Sequence, residues 1–181
     1  SGKTIALKDQ TTRADLAVLF LDEFDLKVWL SRNRSVEVDT RFQETFPGAV
    51  RPVGGTVSLP QDVGRHPHRY LIQDVVGLEV PGMELYPDGS FGPERPVTRA
   101  EFAQMIQGLL VVRMKDRELA TQFFGEASRF EDLRPDHFAY NAAVLCIQRG
   151  LISARADGKF GPDQPVSGAE AILGIKKVLG I

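Results

Sequence analysis

The chain has 181 residues, 43% of them apolar, and a formal net charge of -2 from 22 Lys plus Arg against 24 Asp plus Glu. This supplies a core for one medium domain or two to three small repeats and excludes wholesale disorder. Interspersed charges of both signs argue against nucleic-acid binding by bulk electrostatics, no run of about 18 apolar residues offers a membrane span, and the single Cys146 excludes an internal disulfide.

In chain order, Ser1-Gly-Lys-Thr4 carries neither an initiator Met nor a signal peptide, which reads as a fragment or processed product. Gly2-Lys-Thr4 resembles the tail of a phosphate-binding loop but lacks the upstream glycines that would cradle a phosphate. Thr12-Arg-Ala-Asp15 opens a helix with a weak capping box, and Leu16, Leu19 and Phe20 follow at helical spacing. Trp29 is expected to pack. Val36, Val38, Thr40 and Phe42 alternate with charged residues, which predicts a short extended segment, and 47–60 is a Pro- and Gly-rich loop.

A second unit begins near Asp62. Tyr70, Ile72, Val75 and Val76 predict a helix. Tyr86-Pro-Asp-Gly-Ser-Phe-Gly-Pro-Glu-Arg-Pro-Val-Thr-Arg-Ala-Glu-Phe102 follows. Asp88-Gly89 is a turn former, Phe91 a plug for the core beneath the loop, and Val97 an apolar residue just ahead of a cap. Thr98 and Glu101 have capping-box spacing, and Phe102, Ile106, Leu109 and Leu110 form one helical face. Lys115–Phe124 reads as a charged helix or a continuation of this one.

The third unit repeats the second. Arg155–Ala171 aligns without gaps against Tyr86–Phe102, with nine identities in seventeen positions. Asp132 and Tyr140 have the spacing of Asp62 and Tyr70. Its first helix is predicted from near Pro135, with Phe138, Ala142, Leu145 and Cys146 on one face and Gly150 as its stop. Ser167 and Glu170 repeat the cap, and Ile172, Ile175, Val178 and Leu179 the apolar face. The fragment thus holds about two and a half copies. The divisions are 1–26 for a partial repeat (second helix), 27–57 for a connection, 58–127 for a repeat with a following helix and 128–181 for a last repeat. No single helix pair buries its own apolar faces, so neighbouring copies must pack together in a mainly α fold.

The long Asp-Gly-x-Phe-x-Pro-x-x-Pro-Val-Thr-Arg-Ala-Glu-Phe motif resembles the signature of S-layer homology domains, and Asp62-Val63 and Phe130-Glu-Asp-Leu133 resemble that family's opening. The resemblance implies tandem helix–loop–helix repeats in a pseudo-threefold helical assembly with grooves between lobes. It implies a non-catalytic, cofactor-free module in the extracytoplasmic cell envelope, at the cell surface or in the periplasm. Its partner would be wall polysaccharide, often pyruvylated, or peptidoglycan-linked glycan. The alternative is a degenerate copy that docks other envelope proteins.

In that family the Arg of Thr-Arg-Ala-Glu contacts the anionic sugar, which maps to Arg13 and Arg99. Each occupies a first helical turn, where free N–H groups and the dipole favour an anion, and a guanidinium can grip a carboxylate bidentately. An ion pair with a neighbouring acid is the alternative use of each. Thr98, Asp62 and Tyr70 complete the candidate site. The third copy has Gly168 where the arginine belongs, and the family's His-Trp-Ala is His137-Phe-Ala139 here, so three equivalent sites are not expected. Three histidines and one cysteine without helical pairing give a metal site little support, and no nucleophile elbow or nucleotide fingerprint is present.

Overall fold

The computed structural model describes residues 2–33 and 58–180. The expected extended segment at Val36–Phe42 and residues 47–57 of the expected loop lie outside the described residues. The described chain is mainly helical: α1 (Gly2–Ala6), α2 (Arg13–Val18, continued by a π-helical turn Leu19–Glu23), α3 (Leu26–Asn33), α4 (Arg69–Gly77), α5 (Arg99–Met114), α6 (Tyr140–Gln148) and α7 (Gly168–Leu179). Among the described residues isolated bridges, and no sheet, join Thr12 to Pro96 and Thr98 to Pro165.

The helix starts follow from their caps. Thr98 accepts from Glu101 N while the Glu101 carboxylate accepts from Thr98 N, and Thr12 and Asp15 make the same reciprocal pair. The first copy's box is therefore complete, stronger than Asp in place of Glu suggested. Ser167 caps α7 through Glu170 N. Each such cap is worth about 0.5–2 kcal/mol.

Two boundaries differ from the sequence reading. The helix expected from Pro135 begins at Tyr140, because the His137 ring Nδ1 accepts from Ala139 N at 3.1 Å and holds a turn there. Phe138 is consequently 63% exposed and stacks on His137, instead of joining the buried Ala142, Leu145 and Cys146. The helix expected over Lys115–Phe124 reduces to a 3-10 turn, Arg117–Ala120, because Lys115 takes φ +54 and ends α5.

One continuous core joins all three copies. Leu16, Leu19 and Phe20 of the first, Phe91, Phe102, Ile106 and Leu109 of the second, and Phe160, Ile175 and Val178 of the third are fully buried within it. Burying such a side chain contributes about 1.5–3 kcal/mol. α5 packs against both α6 and α7, and α7 against α1. Trp29 does pack, donating to Leu179 O at 3.2 Å and tying α3 to the end of α7. Cys146 is buried as expected, and burial pushes its thiol pKa up.

The copies meet at a closed ring. Val97 N donates to Thr11 O, Thr11 N to Val166 O, and Val166 N to Val97 O, each at 2.9 Å. Thr11, Val97 and Val166 each immediately precede an N-cap, and all three are buried. Around the ring, each capped helix drives its first N–H groups into the next copy. Arg13 N and Ala14 N donate to Arg95 O and Pro93 O, Arg99 N and Ala100 N to Gln164 O and Pro162 O, and Gly168 N to Lys8 O. The helix starts expected to offer free N–H groups to an anion therefore have those donors occupied by neighbouring carbonyls. A buried, unpaired N–H is costly, and the adjacent copy is the acceptor within reach.

The ring explains Gly168. A Cβ there would lie 1.7 Å from the carbonyl oxygen of Ile5, so α1 fills the space that a side chain at 168 would need. Gly168→Ala is expected to cost about 1–3 kcal/mol through forced displacement of α1, measured by urea denaturation. A second expectation concerns Thr11, whose hydroxyl is buried without a partner among the described residues. Valine occupies the equivalent positions 97 and 166. Thr11→Val should stabilise by about 1 kcal/mol, raising Tm by about 2–4 °C, and an unchanged or lower Tm would contradict this account of the ring.

Candidate functional site

The loop of each full copy is built to present a peptide. Asp88 accepts from the hydroxyl and N–H of Ser90, which holds its carboxyl pKa below the usual range, and Gly89 takes φ +79. Asp157 does the same with Lys159 N and is likewise lowered, first by that bond and then by Arg155. The loop then turns Phe91 or Phe160 into the core.

An exposed aspartate and a buried arginine clamp the peptide of that phenylalanine. Asp62 accepts from Phe91 N at 2.9 Å and Gly92 N at 2.7 Å, and Arg13 Nε donates to Phe91 O at 2.8 Å. In the third copy Asp132 accepts from Phe160 N and Gly161 N, and Arg99 Nε donates to Phe160 O at 2.8 Å. The acid comes from the start of the same copy and the arginine from the copy before it. Asp132 was visible in the sequence as the counterpart of Asp62 at matching spacing and within the Phe130-Glu-Asp-Leu133 opening, but was not named as a site residue.

The two arginines then diverge. Arg99 is 7% exposed, donates from Nη2 to Ser153 O and forms an ion pair from Nη1 to Glu170 Oε1. Its guanidinium lies over the Phe160 ring. Arg13 is 6% exposed and donates from Nη1 to Gly82 O and from Nη2 to Glu84 O, at 2.8 and 2.7 Å. It makes no ion pair with a carboxylate among the described residues. The two nearby acids are engaged elsewhere: Glu101 by Arg95 Nη2 at 2.8 Å and Thr98 N at 2.9 Å, and Glu84 Oε1 by Gly82 N at 3.2 Å. Burial accordingly lowers the pKa of Arg13, against the raising influence of Tyr86 and Glu101. The guanidinium sits between aromatic faces, 4.5 Å from the Phe91 centroid and 5.0 Å from that of Tyr86.

Arg13 lies in the wall of an open groove of about 240 Å³ between the first and second copies, with Gly82, Glu84, Tyr86, Glu101 and Gln104 among its neighbours there. Gln104 reaches beyond the groove to Phe138 O at 3.2 Å, linking it to the exposed aromatic turn before α6. The five residues singled out from sequence thus occupy different settings. Arg13 lines this groove. Arg99 and Thr98 lie at the next junction, Arg99 ion-paired and Thr98 engaged in its cap. Asp62 supports the Phe91 loop. Tyr70 is 61% exposed on α4, with the Arg69 guanidinium 4.5 Å from its ring centroid. Tyr86, Arg95 and Gln104 were not singled out, and Glu101 only as a cap partner, although Tyr86 and Arg95 stand where the two aligned copies differ.

No group of three or more His, Cys, Asp or Glu among the described residues is gathered to hold a metal ion. No helix among them is long and apolar enough to cross a membrane.

Comparison with known proteins bears on this arrangement. The chain is 41% identical over 85 residues to cell surface glycoprotein 1 of Acetivibrio thermocellus, covering 47% of this chain and 3% of that protein. It is 30% identical over 93 residues to a cell surface protein of Thermoanaerobacter kivui, 51% of this chain and 12% of that one. A cellulosome-anchoring protein of Acetivibrio thermocellus is 33% identical over 94 residues, 52% of this chain and 20% of the relative. The chain therefore spans a small part of each relative. The family model for the S-layer homology domain matches residues 83–103 and 129–172, which contain the Phe91 loop, the start of α5, all of α6 and the start of α7. Those matches place S-layer homology sequence on the repeated loop, cap and helices of the second and third copies.

Proposed function

We propose that the chain is a non-catalytic anchoring module of the cell envelope, and that it binds an anionic wall-linked glycan in the groove beside Arg13. The relatives' names, cell surface and cellulosome-anchoring proteins, support the envelope role. The pseudo-threefold arrangement expected of three copies is supported by the closed hydrogen-bond ring.

One observation carries the choice of groove: Arg13 is a buried guanidinium whose hydrogen-bond partners among the described residues are neutral carbonyls. A buried cation without an opposite charge carries a desolvation cost that carbonyl dipoles offset only in part. A carboxylate on a sugar, as in a pyruvate ketal, would supply that charge at the mouth of the groove, with Tyr86 offering a ring face and Gln104 an amide. Arg99 already has Glu170, and the third junction has Gly168 against α1. The reading is therefore one principal site.

Arg13→Gln, at a temperature where circular dichroism shows it folded, should lose at least tenfold in retention on purified cell-wall sacculi. A charge-assisted bond of about 1.5–3 kcal/mol sets that scale. In amide NMR, a methyl glycoside bearing a pyruvate ketal should shift Tyr86 and Gln104 and leave Ser153 unmoved. Wild-type retention by the folded variant would overturn the assignment. A second reading, docking of an envelope protein, is favoured by Phe124 and Phe138, which are 66% and 63% exposed. It predicts retention by a protein fraction of the envelope that survives removal of the glycan.

A further inference from the structure

The two full copies differ at the residue that governs whether the groove arginine is neutralised, and we propose that position 95, with its counterpart 164, is the specificity switch of the inter-copy grooves. The inference rests on the reading of Arg13 as the anion site and names what keeps that site open. Arg95 and Gln164 occupy matching places. The carbonyl of Arg95 accepts from Arg13 N at 3.1 Å, and that of Gln164 from Arg99 N at 2.8 Å. Their main chains do the same job, so only their side chains can set the two junctions apart.

In the second copy, the Arg95 side chain is held on both sides. One terminal nitrogen donates to Tyr86 Oη at 2.5 Å and the other to Glu101 Oε1 at 2.8 Å, with its guanidinium 5.0 Å from the Tyr86 centroid. Glu101 gives its other oxygen to Thr98 N. The acid nearest the groove is thus turned toward its own copy, and Arg13 forms no ion pair with it. In the third copy, Gln164 carries no charge and Arg155 replaces Tyr86, pairing with Asp157. Glu170, the counterpart of Glu101, has no such cation upstream and takes Arg99 from the neighbouring copy. The first copy shows the same rule in another form: Lys8 Nζ holds both oxygens of Asp15, at 2.7 and 2.8 Å. A cation upstream of the cap acid retains that acid within its copy, and a neutral residue releases it to the arginine of the preceding copy.

Arg95 and Gln164 are both exposed, so exchanging them leaves the core intact. Arg95→Gln should release Glu101 to Arg13. Arg155→Tyr with Gln164→Arg should rebuild the open arrangement in the third copy and detach Glu170 from Arg99. Double-mutant cycles by urea denaturation, without ligand, read this directly. The Arg13–Glu101 coupling should at least double in the R95Q background. The Arg99–Glu170 coupling should fall by more than half in the R155Y/Q164R background, and R95K should behave as wild type. Titration with a methyl glycoside carrying a pyruvate ketal, followed by calorimetry, is the second arm. R95Q should weaken binding at least tenfold, and R155Y/Q164R should raise the stoichiometry from one to two.

Couplings that do not move in either background overturn the switch, whatever the glycan does. Couplings that move while no variant, wild type included, binds the glycoside establish the switch and overturn the anion-site reading on which its role in specificity rests.

Discussion

Three backbone hydrogen bonds hold the arrangement in register. Thr11, Val97 and Val166 exchange them in a closed cycle, with the first-turn bonds of the capped helices beside it. Each bond alone has a modest net worth of about 1 kcal/mol, but breaking one would strand buried donors and acceptors. The residue after each ring position is a helix cap, so fixing the ring fixes where all three capped helices begin. Their first N–H groups then meet carbonyls of the next copy, and the arginine that follows the cap in the first two copies reaches the next copy's phenylalanine loop.

That arginine has two jobs which the motif combines. It satisfies the carbonyl of a phenylalanine whose N–H is held by an aspartate, and its remaining donors face the junction between copies. Where the facing copy offers no such loop, an arginine after the cap would have no phenylalanine carbonyl to hold. The first copy has no Asp-Gly-x-Phe loop, and the third copy, which abuts it, has glycine where the arginine would stand. What distinguishes the two surviving junctions is where one carboxylate goes, Glu101 inward to its own copy or Glu170 across to the neighbour.

Much of this was legible in the sequence because the repeat is a local signal. Capping boxes at Thr98 and Thr12, plug residues Phe91 and Phe160, and the apolar faces of α5 and α7 follow from spacing alone. The start of α6 was not legible, because the His137 ring holds a turn that competes with helix and leaves Phe138 outside. The candidate site was legible only in outline. Arg13 and Arg99 occupy equivalent positions, and their difference depends on Arg95 and Gln164, whose effect passes through a third residue. The first-turn N–H groups looked free because their acceptors, such as Pro93 O and Pro162 O, come from a copy distant in sequence.

The ring also orders events in time. Thr11 and Val97 can pair once the second copy exists, but the remaining two bonds wait for Val166, and Trp29 finds Leu179 only across 150 residues of chain. Contacts between such remote segments carry a loop-closure cost and slow folding. Until α7 arrives, the face of the first copy that it covers stands open to solvent, with Ile5 and its carbonyl exposed. A chain emerging from a ribosome or a translocation pore therefore leaves these copies incompletely packed until α7 is out.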